Sequence, residues 1–293
     1  MASRKEILRG RRPPERPMPP SLHLMRAVFS VMGPVMPGLL GRWAYHLWFR
    51  TRRFPETAGG RRAIRSARRE TLVVDGIPVA IYRWGEAGPL VVFVHGWSGR
   101  GSQAAAFIEP LQAAGFRVLA LDAPGHGNTP GERTDILECV RVLQACAQRY
   151  GPLHGAITHS FGGMVLALAM RQGMPVERVV CISTPADVGF LLDSFARTLN
   201  LPAAVVADLN RRMERRFDGD YREHISTVNS VRDLSVPALI IHDEADTGVP
   251  WQHGEQIAAT WPGARFLKTR GLGHGRILRD PATVRAAVVF IQG

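Results

Sequence analysis

The stretch AITHSFGGM (156–164) sets a serine between an apolar run and a small-residue helical pattern. A hydroxyl on a tight turn that leads from a strand straight into a helix is the nucleophile-elbow arrangement G-x-S-x-G. Such a turn presses helix against strand, so the residues two before and two after the serine must be small. Gly162 meets the second requirement and Gly163 adds room, but the first position holds Thr158, a β-branched residue at home in a strand. Ser160 can attack only if a base takes its proton and a third group orients that base. Downstream, LIIHDEADTGVP offers Asp243, Glu244 and Asp246 after an apolar run, and TRGLGHGRI places His274 in a glycine-rich loop. Serine, then acid, then histidine is a chain order suited to acyl transfer. A lone Ser-Phe-Gly-Gly is more often an ordinary turn, and a lone glycine-flanked histidine an ordinary loop residue. Their joint occurrence in this order favours chemistry, with the Phe161 amide at the helix N-terminus as one donor to a developing oxyanion.

Elements must hold these residues together. TLVV, IPVAIYRW, LVVFVHG, FRVLALDAPG, GAITHS, RVVCIST, ALIIHDE and ARFLKT are short apolar or β-branched runs ending near Gly, Pro, His or Asp. Helical patterns at 102–114, 133–149, 162–171, 251–260 and 281–291 separate most of them. Near-continuous apolar strands alternating with helices predict a mostly parallel sheet covered on both faces, with ligands at the carboxyl ends of the strands. The alternation breaks over about 186–233, where apolar residues from Phe190 to Leu201 precede the charged LNRRMERRFDGDYREH. An insertion of that size predicts a small helical lid.

Four blocks in order, VHGWSGRG, LDAPGHGNT, THSFGG and HDEADTGVP…GLGHG, give residues 71–293 a strong resemblance to the α/β-hydrolase superfamily. The resemblance implies an α/β-hydrolase fold: a mostly parallel central sheet, helices on both faces and a small helical lid. Its H-G-x-x-D-x-x-V-P stretch maps the acid onto Asp246, while Asp243 stands where that pattern has glycine. It also assigns the second oxyanion donor to Trp97, in a loop shaped by His95 and Gly96, and leaves His126 and His159 structural. The implied activity is that of a serine hydrolase, esterase, lipase or thioesterase-like, cleaving a small-molecule carboxylic ester or thioester through an acyl-enzyme on Ser160, and the apolar half of the lid favours a hydrophobic acyl or alcohol part. No cofactor and no metal are implied. Serine at the elbow argues against the haloalkane dehalogenase and epoxide hydrolase branches, which need a carboxylate nucleophile. Lactone, amide and carbon–carbon bond hydrolysis share the same site. The other alternative is a catalytically lost interaction module, for which Thr158 is the one mark.

Composition sets the outer limits. At 293 residues and 45% hydrophobic, the chain can bury one large core. Residues 1–70 hold 16 Lys+Arg against 4 Asp+Glu, and residues 71–293 hold 21 against 21, so the net +12 belongs wholly to the first part. This divides the chain into a basic N-terminal arm with short apolar helices (1–70) and a neutral α/β domain (71–293). A neutral domain argues against nucleic-acid binding. RGRRPPERPMPP reads as an extended or disordered arm. The following apolar region is broken by Gly33-Pro34 and Pro37-Gly38, and its uncharged run of 14 residues (27–40) is short of the ~20 needed to span a bilayer. Two short helices fit it, packed on the protein's own core or, as the functional alternative, making peripheral membrane contact through residues 1–50. No small-residue cleavage site follows to mark a signal peptide. Cys139, Cys146 and Cys181 lie in apolar patterns, which predicts buried thiols and a cytoplasmic, reducing compartment. DEAD (243–246) has no phosphate-loop partner, GHGNTPG lacks the third dinucleotide-binding glycine, and the HDEAD carboxylates have no histidine pair at metal-ligand spacing.

Overall fold

A computed structural model describes residues 19–293, so most of the Arg/Pro-rich arm lies outside the described residues. All eight apolar runs are strands: β1 (Arg68–Val74), β2 (Ile77–Trp84), β3 (Leu90–Val94), β4 (Arg117–Leu121), β5 (Leu153–His159), β6 (Val176–Ile182), β7 (Ala238–Asp243) and β8 (Arg265–Thr269). They form one sheet in the order β1-β2-β4-β3-β5-β6-β7-β8. The β1–β2 and β2–β4 pairs are antiparallel and the others parallel. Every residue of β3 and β7 is buried, whereas the edge strand β1 alternates between exposed and half-buried. A central strand in a parallel sheet is covered on both faces and must be apolar throughout; an edge strand with one wet face need not be.

The helices are α1 (Pro20–Met32), α2 (Pro37–Trp48), α3 (Ala58–Ser66), α4 (Ala105–Ala113), α5 (Ile136–Tyr150), α6 (Phe161–Arg171), α7 (Val188–Leu199), α8 (Ala203–Arg216), α9 (Tyr221–His224), α10 (Thr227–Val231), α11 (Gln252–Thr260), α12 (Gly273–Arg276) and α13 (Pro281–Gln292). The cores on the two faces of the sheet are distinct. One gathers α5, α6 and α11 with the α7–α10 insertion and α1–α2, and the other gathers α3, α4 and α13. Short polar residues start the helices: Asp135 accepts from Glu138 N–H (3.0 Å) before α5, and Asp280 from Thr283 N–H (2.8 Å) before α13. Helix α3 has no counterpart in the sequence reading. Its weak AGGRRAIRS pattern is capped by Thr57, which accepts from Gly60 N–H (3.0 Å), and anchored by buried Ile64. The three cysteines are buried and unpaired.

Helices α1 and α2 pack on α7 and α8 of the insertion between β6 and β7. Phe29 stacks on Trp43 at 4.7 Å and Trp48 meets Phe195 edge-on at 5.3 Å. The chain after α2 is stitched to the loop between β4 and α5: Thr51 Oγ1 donates to Gly125 O (2.8 Å), and the Arg53 guanidinium donates to the carbonyls of Gly127, Thr129 and Gly131 at 2.7 to 3.1 Å. No described helix is long and apolar enough to cross a membrane.

Candidate active site

Strand β5 ends at His159 and α6 begins at Phe161, which leaves Ser160 alone on the turn with φ 51° and ψ −122°. A non-glycine residue rarely adopts this backbone, and it is held here by the Ser160 N–H bond to Ile182 O (2.8 Å). The helix is drawn tightly against the neighbouring strand. A Cβ on Gly162 would lie 2.7 Å from His95 O and closer still to Val94 O, so glycine is required there. Thr158, in the position where the template has glycine, is fully buried and turns its hydroxyl to Val180 O in β6 (3.3 Å). It is accommodated within the sheet between Val94 and Cys181.

Asp246 lies three residues beyond the end of β7, and His274, expected in a glycine-rich loop, lies in the short helix α12 that follows β8. Asp246 Oδ1 accepts from the N–H groups of Gly248 (2.8 Å) and Val249 (2.9 Å), and Oδ2 accepts from His274 Nδ1 (2.7 Å). Burial alone would raise the Asp246 pKa, but hydrogen bonds from His242 and His274, with the His274 charge and the Val249 amide, hold it far below the usual carboxylate range. Asp246 is therefore an anion at neutral pH, and its bond to Nδ1 leaves Nε2 of His274 as the basic nitrogen. Asp243 has another task. Its Oδ1 accepts from Ala245, Leu272 and Gly273 N–H and its Oδ2 from the Thr269 hydroxyl, so it fastens the histidine loop to the end of the sheet.

His159 couples the two sides. Its Nε2 donates to His274 O (2.8 Å) and its ring lies 4.8 Å from the His274 ring. The residue before the serine thus holds the backbone of the histidine. Among the described residues no hydrogen bond joins Ser160 Oγ to His274, whose side chain is about one-third exposed at 32%. Nucleophile–base bonds often tighten only once substrate is present.

The loop after β3 carries Trp97 against the elbow, its ring 5.1 Å from that of Phe161 and edge-on. The N–H groups of Trp97 and Phe161 donate to no partner among the described residues, the condition for receiving an oxyanion. Two neutral histidines brace this loop. His95 donates Nδ1–H to Gly96 O (2.8 Å) and accepts at Nε2 from Ala123 N–H (3.0 Å). His126 donates Nδ1–H to Pro124 O (2.9 Å) and accepts at Nε2 from Ser98 N–H (2.9 Å), next to Trp97. Burial pushes their pKa values down to about 4 and about 3.

The model of the alpha/beta hydrolase family matches residues 91–287. The chain belongs to the α/β hydrolase family. It is 34% identical over 255 residues to a Mycobacterium phage D29 protein named as a non-heme haloperoxidase, a match covering 72% of this chain and 90% of that one. The human protein ABHD12B is 25% identical over 190 residues (59% of this chain, 49% of that one). The lysophosphatidylserine lipase ABHD12 of Danio rerio is 27% identical over 182 residues (58% and 46%). The chain thus spans about half the length of these last two relatives. Among solved structures, mouse alpha/beta hydrolase domain-containing protein 10 superposes with TM-score 0.62 at 19% identity, over 77% of this chain and 97% of that one, which shows the fold.

On this α/β-hydrolase frame two cavities meet at Ser98. One, of about 360 Å³, opens on Ser160 and Trp97 and is walled by apolar side chains, among them Phe161, Met164, Val188, Leu191 and Phe195. Its far wall is made by Leu47, Trp48, Phe49, Arg50 and Arg52, from the end of α2 and the strap that follows it. Sequence reasoning did not find these residues, because only the long-range bonds of that strap bring them to the site. The other cavity, of about 520 Å³, opens on His274.

Proposed function

We propose that this protein is a serine hydrolase that cleaves a carboxylic ester or thioester with an apolar acyl part. Ser160 attacks the acyl carbon while Nε2 of His274 takes its proton. Asp246 orients the imidazole and balances the imidazolium, and the Trp97 and Phe161 N–H groups receive the oxyanion. His274 then protonates the leaving group, and water repeats the sequence to free the acid. No cofactor enters this scheme. The observation that carries it is the conjunction of a strained serine on an elbow with a histidine whose Nδ1 is bound to a buried carboxylate at 2.7 Å. The apolar cavity that Ser160 lines supports a hydrophobic acyl group, and α7–α10 with α1–α2 form the lid above it.

The exposed apolar residues Leu24 and Val31 on α1, Val35 in the turn after it and Leu39 on α2, next to the Arg-rich N-terminal sequence, support peripheral contact of this lid with an anionic membrane surface.

Labelling with a fluorophosphonate, beside hydrolysis of p-nitrophenyl esters of increasing chain length, tests the proposal. Folded protein should form an adduct that Ser160→Ala lacks, and the same replacement should lower kcat by about 10⁴-fold or more. Hydrolysis unchanged in Ser160→Ala would refute the Ser160 mechanism, and neither adduct nor hydrolysis in folded wild-type protein would overturn the proposal in favour of a non-catalytic interaction module.

A further inference from the structure

The two cavities divide the substrate between them, an inference that rests on the serine-hydrolase reading. In acyl transfer the acyl half stays on the nucleophile, and the leaving half departs with a proton from the histidine. The acyl half must then lie where Ser160 opens and the leaving half where His274 opens. Ser160 lines the apolar cavity, His274 lines the second, and Ser98 lines both.

The second cavity has a different chemistry. Its wall carries Arg100, Arg276 and Arg279 against a single carboxylate, Glu56. Arg100 is engaged, with Nε 3.6 Å from Glu56 and Nη1 donating to Phe54 O at 3.4 Å. Arg276, two residues beyond His274, spends one Nη2 bond on Gly271 O (2.9 Å) and is otherwise exposed. Arg279 is exposed and has no hydrogen bond or ion pair among the described residues. Guanidinium forks match carboxylate and phosphate oxygens in pairs, and both lie on the side from which the leaving group departs.

We propose that the leaving half of the substrate carries an anionic group, a phosphate or a carboxylate, held by Arg276 and Arg279. The substrate class is then an ester or thioester of an apolar acid with an anionic alcohol or thiol. In the reaction Ser160 Oγ bonds to the acyl carbon as that carbon's bond to the leaving oxygen or sulfur breaks. The serine proton passes through His274 to the leaving atom, and the anion itself is unchanged.

The test uses the full chain carrying Ser160→Ala, titrated by calorimetry with the decanoyl esters of glycerol, glycerol 3-phosphate and glycolate. The anionic esters should bind about 10-fold tighter than the neutral one, as expected for two part-exposed arginine–anion pairs. Whichever of the phosphate and the carboxylate gains more identifies the anion. Adding Arg276→Gln and Arg279→Gln should remove that preference and leave binding of the neutral ester within about 2-fold, the usual scale for exposed substitutions. Equal binding of neutral and anionic esters, or a preference that survives both replacements, would overturn the proposal. Hydrolysis of p-nitrophenyl decanoate by wild-type protein reports the hydrolase reading alone. Hydrolysis without anion preference therefore sinks the subsite only. Anion preference without any hydrolysis sinks the catalytic reading and leaves an anion-binding cavity.

Discussion

Mild acid should destabilise this protein well before its carboxylates titrate. His95, His126 and His159 are buried and neutral, with pKa values pushed down by burial to about 4, about 3 and about 3; His126 is lowered further by His95, and His159 by His274. Their bonding shows why a second proton is resisted. Nε2 of His95 and of His126 accept backbone N–H groups, so a proton on either would set N–H against N–H. Nδ1 of His159 is buried without a partner, and a proton there would bury an unpaired charge.

A histidine whose folded pKa lies below its unfolded value binds its proton on unfolding, so its contribution is complete above about pH 6.5 and is lost as the pH falls toward the folded value. At about 1.4 kcal/mol per unit, each of the three loses roughly 2 kcal/mol between pH 8 and pH 5, and together roughly 6 kcal/mol. That is a large part of the 5–15 kcal/mol typical of a folded domain. Asp246 acts in the opposite sense. Its depressed pKa gives stability that is complete above about pH 4 and is lost only below it, outside this window. Urea unfolding at pH 8, 7, 6 and 5, at fixed ionic strength, measures the loss. His126→Gln, whose amide oxygen can still accept from Ser98, should cut it by about one-third, one histidine's share. Stability constant to within about 1 kcal/mol from pH 8 to pH 5, or a full pH dependence retained in His126→Gln, would refute the reasoning.

Thr158→Gly should lower stability by roughly 1–3 kcal/mol, through strand entropy and lost buried contacts, without accelerating acylation, because the side chain is buried in the sheet with its hydroxyl turned to Val180 O in β6. A stopped-flow burst with p-nitrophenyl acetate that became tenfold faster would show instead that the threonine restrains the elbow. Val31 and Val35 are 74% and 81% exposed, so Val31→Glu with Val35→Glu should leave soluble-ester hydrolysis unchanged and abolish sedimentation with anionic vesicles. Undiminished sedimentation would remove membrane contact at this site.

What the sequence disclosed followed the range of the physics behind it. Strands β3 and β7 were legible because burial on both faces demands an unbroken apolar run, and Ser160 because its turn needs Gly162 at a fixed spacing. The mapping onto Asp246 was legible as a pattern, but the bonds that occupy Asp243 were not. They come from three amides and a hydroxyl that reach Asp243 from as far along the chain as Gly273. Likewise, nothing near His126 reveals that its ring accepts from Ser98, 28 residues earlier. The N-terminal region is the sharpest case. Phe29 is fully buried and Val31 mostly exposed two positions later, a difference decided by α2 and α7 rather than by either residue. The excess of positive charge that sets residues 1–70 apart says little about packing. Trp48 and Phe49 sit inside that basic segment and still wall the cavity that Ser160 opens into. Anything that moves the end of α2, a lipid surface included, therefore acts directly on the shape of the apolar cavity at Ser160.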